Sequence, residues 1–236
     1  INEEDHLRIQ CLSPGLQVRE TWDWASKIDD LFEENLDFAF DEKLGYLTSC
    51  PTNVGTGLRA SVMMHLPALV LTGQINRILS AVTQVGLAVR GLYGEGSEAT
   101  GNLFQVSNQI TLGQSEMEII DNLYRVTRQI VDQEKEARRR LLAESRLRLE
   151  DRVRRSYGIL RYAEIIDSKE SAQRLSDLRL GASLGLVPEV KEQVLNELLV
   201  STQPGFLQYS HGGELSPEQR DAKRAELIRG RLAQAG

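Results

Sequence analysis

The sequence has few of the residues that build disulfide-rich or metal-rich proteins. Its 236 residues include two cysteines, Cys11 and Cys50, and three histidines. Two cysteines provide neither a disulfide framework nor a four-cysteine zinc site, and there is no H-E-x-x-H motif. We therefore predict no metal bound directly by side chains. Free cysteines are typical of a reducing compartment, so we expect a cytoplasmic protein.

Long apolar runs and an excess of positive charge are also missing. No run approaches the roughly 20 apolar residues that a membrane-spanning helix needs, and the first ten residues, INEEDHLRIQ, do not resemble a signal peptide. The net charge of −6 argues against direct nucleic-acid binding. The chain begins with Ile1 rather than methionine, and we expect it to be a piece of a longer protein.

Charge is distributed unevenly along the chain. Residues 1–110 hold seven of the 28 Lys and Arg residues but fourteen of the 34 Asp and Glu residues. Three of these few cations, Arg8, Arg59 and Arg90, lie in or beside strand-like segments, where an arginine usually needs a partner. The remainder is nearly neutral, as expected for helices with solvated, salt-bridged surfaces.

The first half of the chain alternates between strand-like and helix-like segments. Apolar spacing predicts helices over residues 16–40 and 67–83. A hairpin is expected around residues 42–44. Strands are predicted over residues 5–12, 58–66, 87–90 and 102–112.

The second half is predicted to be helical. Residues 115–162 should form a long helix with one break. Residues 167–170 and 216–219 have the spacing of capping boxes. Gly181 is expected to end the helix that begins after Asp167. Further helices are predicted from Pro188 to 204–205 and from Pro217 toward Gln234.

Three segments contain residues suited to chemistry, and each has a plainer interpretation. Strand alternation over 2–8 would place Glu4, His6 and Arg8 on one face and Asp5 on the other. A cluster of carboxylates can supply a general base, although it can equally be a solvated strand end.

The other two segments are loops. Residues 48–57 surround Cys50 with small polar residues and glycines, which suits either a reactive thiol or a plain tight turn. Residues 90–98 are glycine-rich and carry Glu95 and Glu98. Such a loop can close on a ligand, and its carboxylates can clamp a guanidinium, although it can also be a simple exposed loop.

Taken together, the segments resemble one family. The runs NEEDHLR (2–8), CPTNVGTGLRAS (50–61) and RGLYGEGSE (90–98) have the order and spacing of the guanidino phosphotransferases, or phosphagen kinases. The later runs RSYGILRYA, LSDLRLGASLG and RDAKRA are similar to the protein-directed branch of that family, the bacterial protein arginine kinases.

The resemblance implies an α+β fold of the phosphagen-kinase (glutamine-synthetase-like) class. This fold has an antiparallel sheet with flanking helices, here followed by an all-helical C-terminal domain. We expect a catalytic domain, lacking its N-terminal part, over residues 1–145. A helical dimerisation and phosphoarginine-binding domain is expected over residues 146–236. Nucleotide-binding arginines that the family carries upstream would be absent from this chain.

The implied reaction moves the γ-phosphoryl group of ATP, bound with Mg²⁺, onto arginine side chains of proteins. By the resemblance, Glu4 orients and deprotonates the guanidinium, and Cys50 lies against it. Glu95, with Glu98 as a neighbouring candidate, forms the second clamp. The nucleotide phosphates are held by Arg8, Arg59 and Arg90.

The tail resembles a phosphoarginine receptor. On a helix, Arg220, Lys223 and Arg224 share one face at i, i+3 and i+4, which would make a phosphate clip. Asp221 would accept the guanidinium of the phosphoarginine. Without the resemblance, these residues would be an ordinary charged helix face.

The resemblance also implies partners. They are protein substrates with exposed arginines, marked for Clp-type degradation, a Clp unfoldase, a zinc-binding activator adaptor, a heat-shock repressor and a second copy of the chain in a homodimer. No membrane is expected to take part. The alternatives are a small-molecule arginine kinase and a non-catalytic phosphoarginine-binding fragment. A DNA-binding helix at 138–155 is the weakest interpretation.

Overall fold

The computed structural model describes residues 4–91 and 100–234. These residues form two compact units. The first contains residues 4–64, 75–91 and 104–133, and the second contains residues 65–74, 100–103 and 134–234. The expected boundary at residue 145 separates family domains rather than contact units, and it stays a prediction.

Strands and helices alternate in the first half of the chain, and helices follow. The first half contains α1 (Val18–Glu33), β1 (Phe40–Asp41), β2 (Gly45–Tyr46), β3 (Ser61–His65), α2 (Pro67–Leu71), α3 (Ile75–Gln84), β4 (Leu87–Gly91) and β5 (Leu103–Asn108). The second half contains α4 (Glu116–Glu144), α5 (Arg146–Tyr162), α6 (Ser168–Ser183), α7 (Glu192–Ser201), α8 (Pro204–His211) and α9 (Pro217–Gln234). Within the described ranges, none of these helices is both long and apolar enough to cross a membrane.

A three-stranded sheet forms the centre of the first unit, with β5 between β3 and β4. In the antiparallel β4–β5 pair, Val89 lies opposite Val106 and Arg90 lies opposite Gln105. Because side chains alternate between faces, the sheet has an apolar face with Val89 and Val106 and a polar face with Arg90 and Gln105. Helix α3 packs beside β4. The polar face is the one on which charged ligands would be expected.

The predicted hairpin is confirmed. Phe40 pairs with Tyr46 and Asp41 with Gly45. The Asp41 carboxylate accepts the backbone N–H groups of Lys43 and Leu44, at 2.8 and 2.9 Å, as Asp often does in turns. The hairpin directs the chain into the loop that carries Cys50.

Two predicted elements of the first half are wrong. Residues 5–12 form no strand, because no described strand pairs with them. Exposure nevertheless alternates along this segment as expected: the side chains of Glu4, His6 and Arg8 are exposed, and the residues between them are less so. The single helix predicted over residues 67–83 is divided into α2 and α3. Gly73 lies between them with φ +69°, a left-handed conformation that ends a helix.

A buried carboxylate fixes the start of α2 in the second unit. Glu134 accepts the N–H groups of Ala68 and Leu69, at 3.1 and 3.0 Å, and Arg138 Nε at 2.7 Å. A negative charge at a helix N-terminus satisfies free amides and the helix dipole. The long predicted helix is also observed, broken at Ser145 between α4 and α5.

The core of the second unit is built by leucine and isoleucine side chains from several helices. Both expected N-caps are present: Asp167 accepts the N–H of Glu170, and Ser216 and Gln219 form a reciprocal capping box. The Glu170 carboxylate binds Arg174 instead of reaching back to the N-cap. Core residues from α5, α6, α7 and α9 include Leu149, Val153, Leu160, Leu175, Leu178, Leu195, Leu198, Ile228 and Leu232.

Gly181 does not end its helix as predicted. Helix α6 continues through Ser183, and Gly185, with φ +70°, follows its end. A Cβ at Gly181 would lie closer than 3.0 Å to the Val153 side chain. The glycine therefore allows α5 and α6 to approach each other. Alanine could not occupy this position without a shift of the helices, because Cβ atoms in proteins essentially never approach other heavy atoms closer than 3.0 Å.

The helix boundaries predicted at Pro188 and Pro204 are also wrong. Helix α7 begins at Glu192 rather than at Pro188 and ends at Ser201. Pro204 starts α8 instead of closing the preceding helix. Proline fits the first turn of a helix because its missing N–H is not needed there.

Candidate functional site

The segment that carries Glu4 lies on the loop that carries Cys50. The hydroxyl of Ser49 donates to the backbone carbonyl of Glu4 at 2.6 Å, and the N–H of Ser49 donates to the Asp5 carboxylate at 2.7 Å. This N–H is the main cause that holds the pKa of Asp5 below its usual value, with smaller lowering contributions from Asn53 and Arg8 among others. Ser49 thus brings together two predicted catalytic residues that are distant in sequence.

The loop itself is tightly bonded around Cys50. The N–H of Asn53 and the hydroxyl of Thr48 both donate to the Cys50 carbonyl, at 2.9 and 2.7 Å. The Cys50 sulfur lies 2.9 Å from the Thr52 hydroxyl. Cys50 is a free, half-buried thiol. The segment is therefore a tight turn that still presents its cysteine.

The far end of the loop is held by Tyr46. Tyr46 and Gly55 exchange two backbone hydrogen bonds, at 2.8 and 3.2 Å. Gly55 has φ +111°, and a Cβ there would clash with the carbonyl of Thr111, so the position requires glycine. The Tyr46 hydroxyl donates to Asp29 of α1 at 2.8 Å. Burial, and then Asp29, raise the pKa of Tyr46, so the phenol remains a neutral donor.

One of the three predicted phosphate-binding arginines, Arg90, lies on the polar face of the sheet. Arg90 lies opposite Gln105, whose amide donates to the Ser61 hydroxyl on β3 at 3.0 Å. Arg59 lies outside the sheet, two residues before β3 begins at Ser61. Its neighbour Ala60 bonds to Asn108 at the end of β5: the N–H of Ala60 donates to the Asn108 side chain at 2.8 Å, and the Ala60 carbonyl accepts the N–H of Asn108 at 3.3 Å. Arg8 belongs instead to the segment with Glu4, and its charge lowers the pKa of Asp5.

The predicted guanidinium clamp, Glu95 and Glu98, lies outside the described residues. Its role stays a prediction. Among residues 4–91 and 100–234, no group of three or more His, Cys, Asp or Glu side chains is arranged to hold a metal ion.

The predicted phosphoarginine residues form an internal network rather than an open clip. Arg224 is 1% exposed and donates to the carbonyls of Thr202 and Ile166, at 3.0 and 2.9 Å, and to Asp221 at 2.5 Å. It thereby ties α9 to the end of α7 and to the turn before α6. Arg220, half-buried, donates to the Leu215 carbonyl. Their role in binding phosphoarginine stays a prediction.

Sequence reasoning missed several residues that organise the site. Ser49 and Asp5 join the two predicted catalytic segments, and Tyr46 and Thr111 hold the far side of the loop. Asp5 did carry a signal, since the alternation turned it away from Glu4. Thr111 had no such signal in the sequence, because the residue it contacts, Thr52, is 59 residues away.

Residues 1–137 match the family model of the ATP:guanido phosphotransferase C-terminal catalytic domain. The chain belongs to this family. Residues 146–236 match the model of the protein-arginine kinase McsB C-terminal domain. The resemblance inferred from the three sequence runs is therefore confirmed, and so is its protein-directed branch.

Bacterial relatives with known names are similar over nearly the whole chain. The protein-arginine kinase of Brevibacillus brevis is 66% identical over 232 residues, which are 98% of this chain and 65% of the relative. That of Bacillus subtilis is 60% identical and covers 98% of this chain and 64% of its own length. The chain thus spans somewhat less than two thirds of these relatives.

A solved phosphagen kinase shares the fold. The duplicated taurocyamine kinase of Schistosoma mansoni, with bound transition-state-analogue components, is 26% identical with a TM-score of 0.50. It covers 65% of this chain and 22% of its own. The predicted class, an antiparallel sheet with flanking helices followed by a helical part, is confirmed.

Proposed function

We propose that this chain is the C-terminal part of an ATP-dependent protein-arginine kinase. The observation that carries the proposal is the pair of hydrogen bonds by which Ser49 holds the Glu4–Asp5 segment against the Cys50 loop. A guanidinium is a weak nucleophile, so transfer depends on groups that align it and remove a proton. Glu4 beside a presented thiol supplies such a place, with Glu4 as the acceptor of the proton.

Nucleotide binding is assigned to the arginines. Arg90 lies on the polar face of the sheet, Arg59 lies two residues before β3, and Arg8 follows Glu4 on the adjoining segment. Guanidinium groups suit the spread negative charge of a phosphoryl group in transfer. Mg²⁺ would arrive with ATP, held mainly by phosphate oxygens and water, as this ion usually is. Glu95 and Glu98 are proposed to clamp the substrate guanidinium.

The acceptor is proposed to be an arginine on a protein. Support comes from the name of the relatives and from the McsB-type C-terminal domain. We propose residues 1–145 as the catalytic domain and residues 146–236 as a domain for dimerisation and for phosphoarginine binding. In the latter role, Arg220 and Asp221 remain accessible in part, whereas Arg224 acts from within the fold.

The biological setting belongs to the same proposal. Phosphorylated proteins would be marked for Clp-type degradation in the cytoplasm. The proposed partners are a Clp unfoldase, a zinc-binding activator adaptor, a heat-shock repressor and a second copy of the chain.

One transfer assay tests the proposal. The chain is mixed with Mg-ATP labelled at the γ-phosphate, a disordered arginine-containing protein and free arginine, and acid-labile label is measured on each. We expect label on the protein. Label on free arginine alone would make the protein a small-molecule kinase. No label on either acceptor, together with retained phosphoarginine binding, would mean that the chain binds phosphoarginine without catalysing its formation.

A further inference from the structure

Thr111, which follows β5, contacts the Cys50 loop at three points. Its hydroxyl lies 2.9 Å from the carbonyl of Thr52 and 2.8 Å from that of Val54. Its own carbonyl accepts the N–H of Thr56 at 3.0 Å. Thr111 is 7% exposed, so these bonds are shielded from competing water.

The contact with Thr52 leads directly to the cysteine. Thr52 presents its carbonyl to Thr111, and its side-chain hydroxyl lies 2.9 Å from the Cys50 sulfur. The position of the Thr52 backbone therefore determines where its hydroxyl meets the sulfur. A hydroxyl in this position can donate to a thiolate, which stabilises the reactive form.

The loop has little room to absorb a shift at this point. Gly55 approaches the Thr111 backbone so closely that a Cβ would lie within 3.0 Å of it. The other bonds of the loop act elsewhere: Thr48 holds the Cys50 carbonyl, and Tyr46 holds Gly55. Among the hydrogen bonds described for the carbonyl of Thr52, that from Thr111 is the one from outside the loop.

We infer that Thr111 is a positioning residue that fixes Thr52 and, through it, the thiol of Cys50. Thr111 itself touches no reacting group. The inference deepens the proposed function, because it matters for catalysis only if Cys50 lies at the guanidinium site. The effect of Thr111 on the reactivity of the Cys50 thiol can nevertheless be measured independently of catalysis.

The test measures alkylation of Cys50 by iodoacetamide at a fixed neutral pH. Peptide mass spectrometry follows Cys50 and Cys11 separately, so Cys11 serves as the internal reference. Thr111→Val removes the hydroxyl and keeps the shape of the side chain. We expect the alkylation rate of Cys50 to fall by a factor of about three or more, consistent with the loss of one hydrogen bond. Thr111→Ser, which keeps the hydroxyl, should restore the rate.

A double-mutant cycle separates positioning from a general structural role. Thr52→Val should lower the alkylation rate of Cys50 directly. Adding Thr111→Val should lower the rate no further, because both changes remove the same contact between the Thr52 hydroxyl and the Cys50 sulfur. Independent, multiplicative effects, or an unchanged Cys50 rate in Thr111→Val, would overturn the inference. If Thr111→Val does not fold, Thr111→Ala takes its place. Alkylation needs neither ATP nor a substrate, so failure here is distinct from failure of the transfer assay.

Discussion

Ser49 donates its backbone N–H to the carboxylate of Asp5 at 2.7 Å, and its hydroxyl donates to the neighbouring carbonyl of Glu4. One residue thus fixes both the main chain of the proposed base and the side chain that follows it. The bond to Asp5 depends on charge, because a carboxylate accepts more strongly than a carboxylic acid. This dependence provides a pH test of the attachment.

Asp5→Asn should weaken the attachment more at neutral pH than in acid. The N–H of Ser49 holds the pKa of Asp5 in the folded chain below its ordinary value of 3.8. The stabilisation is therefore present above about pH 4 and is lost as the pH falls through the lower folded value. Asp5 is only partly buried and its bond with Ser49 is exposed to water, so we expect a difference below about 1 kcal/mol. Urea unfolding at pH 7 and pH 3 measures it. A difference as large at pH 3 as at pH 7 would contradict the role of the charge.

Glu4→Gln should abolish phosphoryl transfer and leave the fold intact. The change removes the group that accepts the proton while nearly preserving size, and the hydrogen bond from Ser49 reaches the Glu4 main chain, which is unaffected. Glu42→Gln, at an exposed position of the hairpin, is the matched control. Transfer is measured with labelled ATP, and folding by circular dichroism. Full activity in Glu4→Gln would remove Glu4 from the proposed mechanism.

The sequence was informative where the signal is local. The hairpin at Asp41 and the caps at Asp167 and Ser216 follow from neighbouring residues. The family runs also located the loop of Cys50.

Contacts between distant residues could not be predicted in the same way. Thr111 reaches a loop 59 residues away, and Gly181 serves a helix contact rather than a helix end. Arg224 was expected at the surface of a charged helix, yet the carbonyls of other segments hold it in the interior. Such roles depend on which elements meet, and a single sequence does not contain that information in local form.

Two glycine-to-alanine changes should have opposite effects on the second unit. A methyl group at Gly181 would overlap Val153, and we expect destabilisation of about 1–3 kcal/mol, as for other overpacked cores. Gly230, within α9, has open space around its Cβ position. Alanine there should stabilise by about 0.5–1 kcal/mol through helix propensity. Denaturant unfolding of both variants measures the changes. Equal effects would contradict the packing role of Gly181.

Arg220→Ala should weaken the binding of a phosphoarginine peptide without altering alkylation of Cys50. The half-buried guanidinium makes one described hydrogen bond, to the Leu215 carbonyl, so the loss of stability should stay near about 1 kcal/mol. Arg140→Ala on α4, outside the predicted clip, is the control for a general loss of positive charge, since Arg140 is exposed and paired with Glu136. Titration calorimetry gives the dissociation constants. A constant unchanged by Arg220→Ala would exclude the residue from the receptor.

His65 should make the second unit sensitive to acid. Burial, and then the charges of Arg179 and Arg138, lower the pKa of His65 to about 3, and its Nε2 lies 2.8 Å from the Ser176 hydroxyl. The folded state therefore holds the neutral ring, whereas the unfolded chain takes up a proton below its ordinary value of 6.5. Its contribution to stability is complete above that value and is lost progressively as the pH falls from 6.5 toward 3.

The corresponding variant is His65→Asn, which cannot take up the proton. Its free energy of unfolding should fall less steeply than that of the parent chain between pH 6.5 and pH 4, even if the variant is less stable at pH 7. Urea unfolding at several pH values gives both slopes. Parallel curves for His65→Asn and the parent would mean that the buried ring is not the group that links folding to pH.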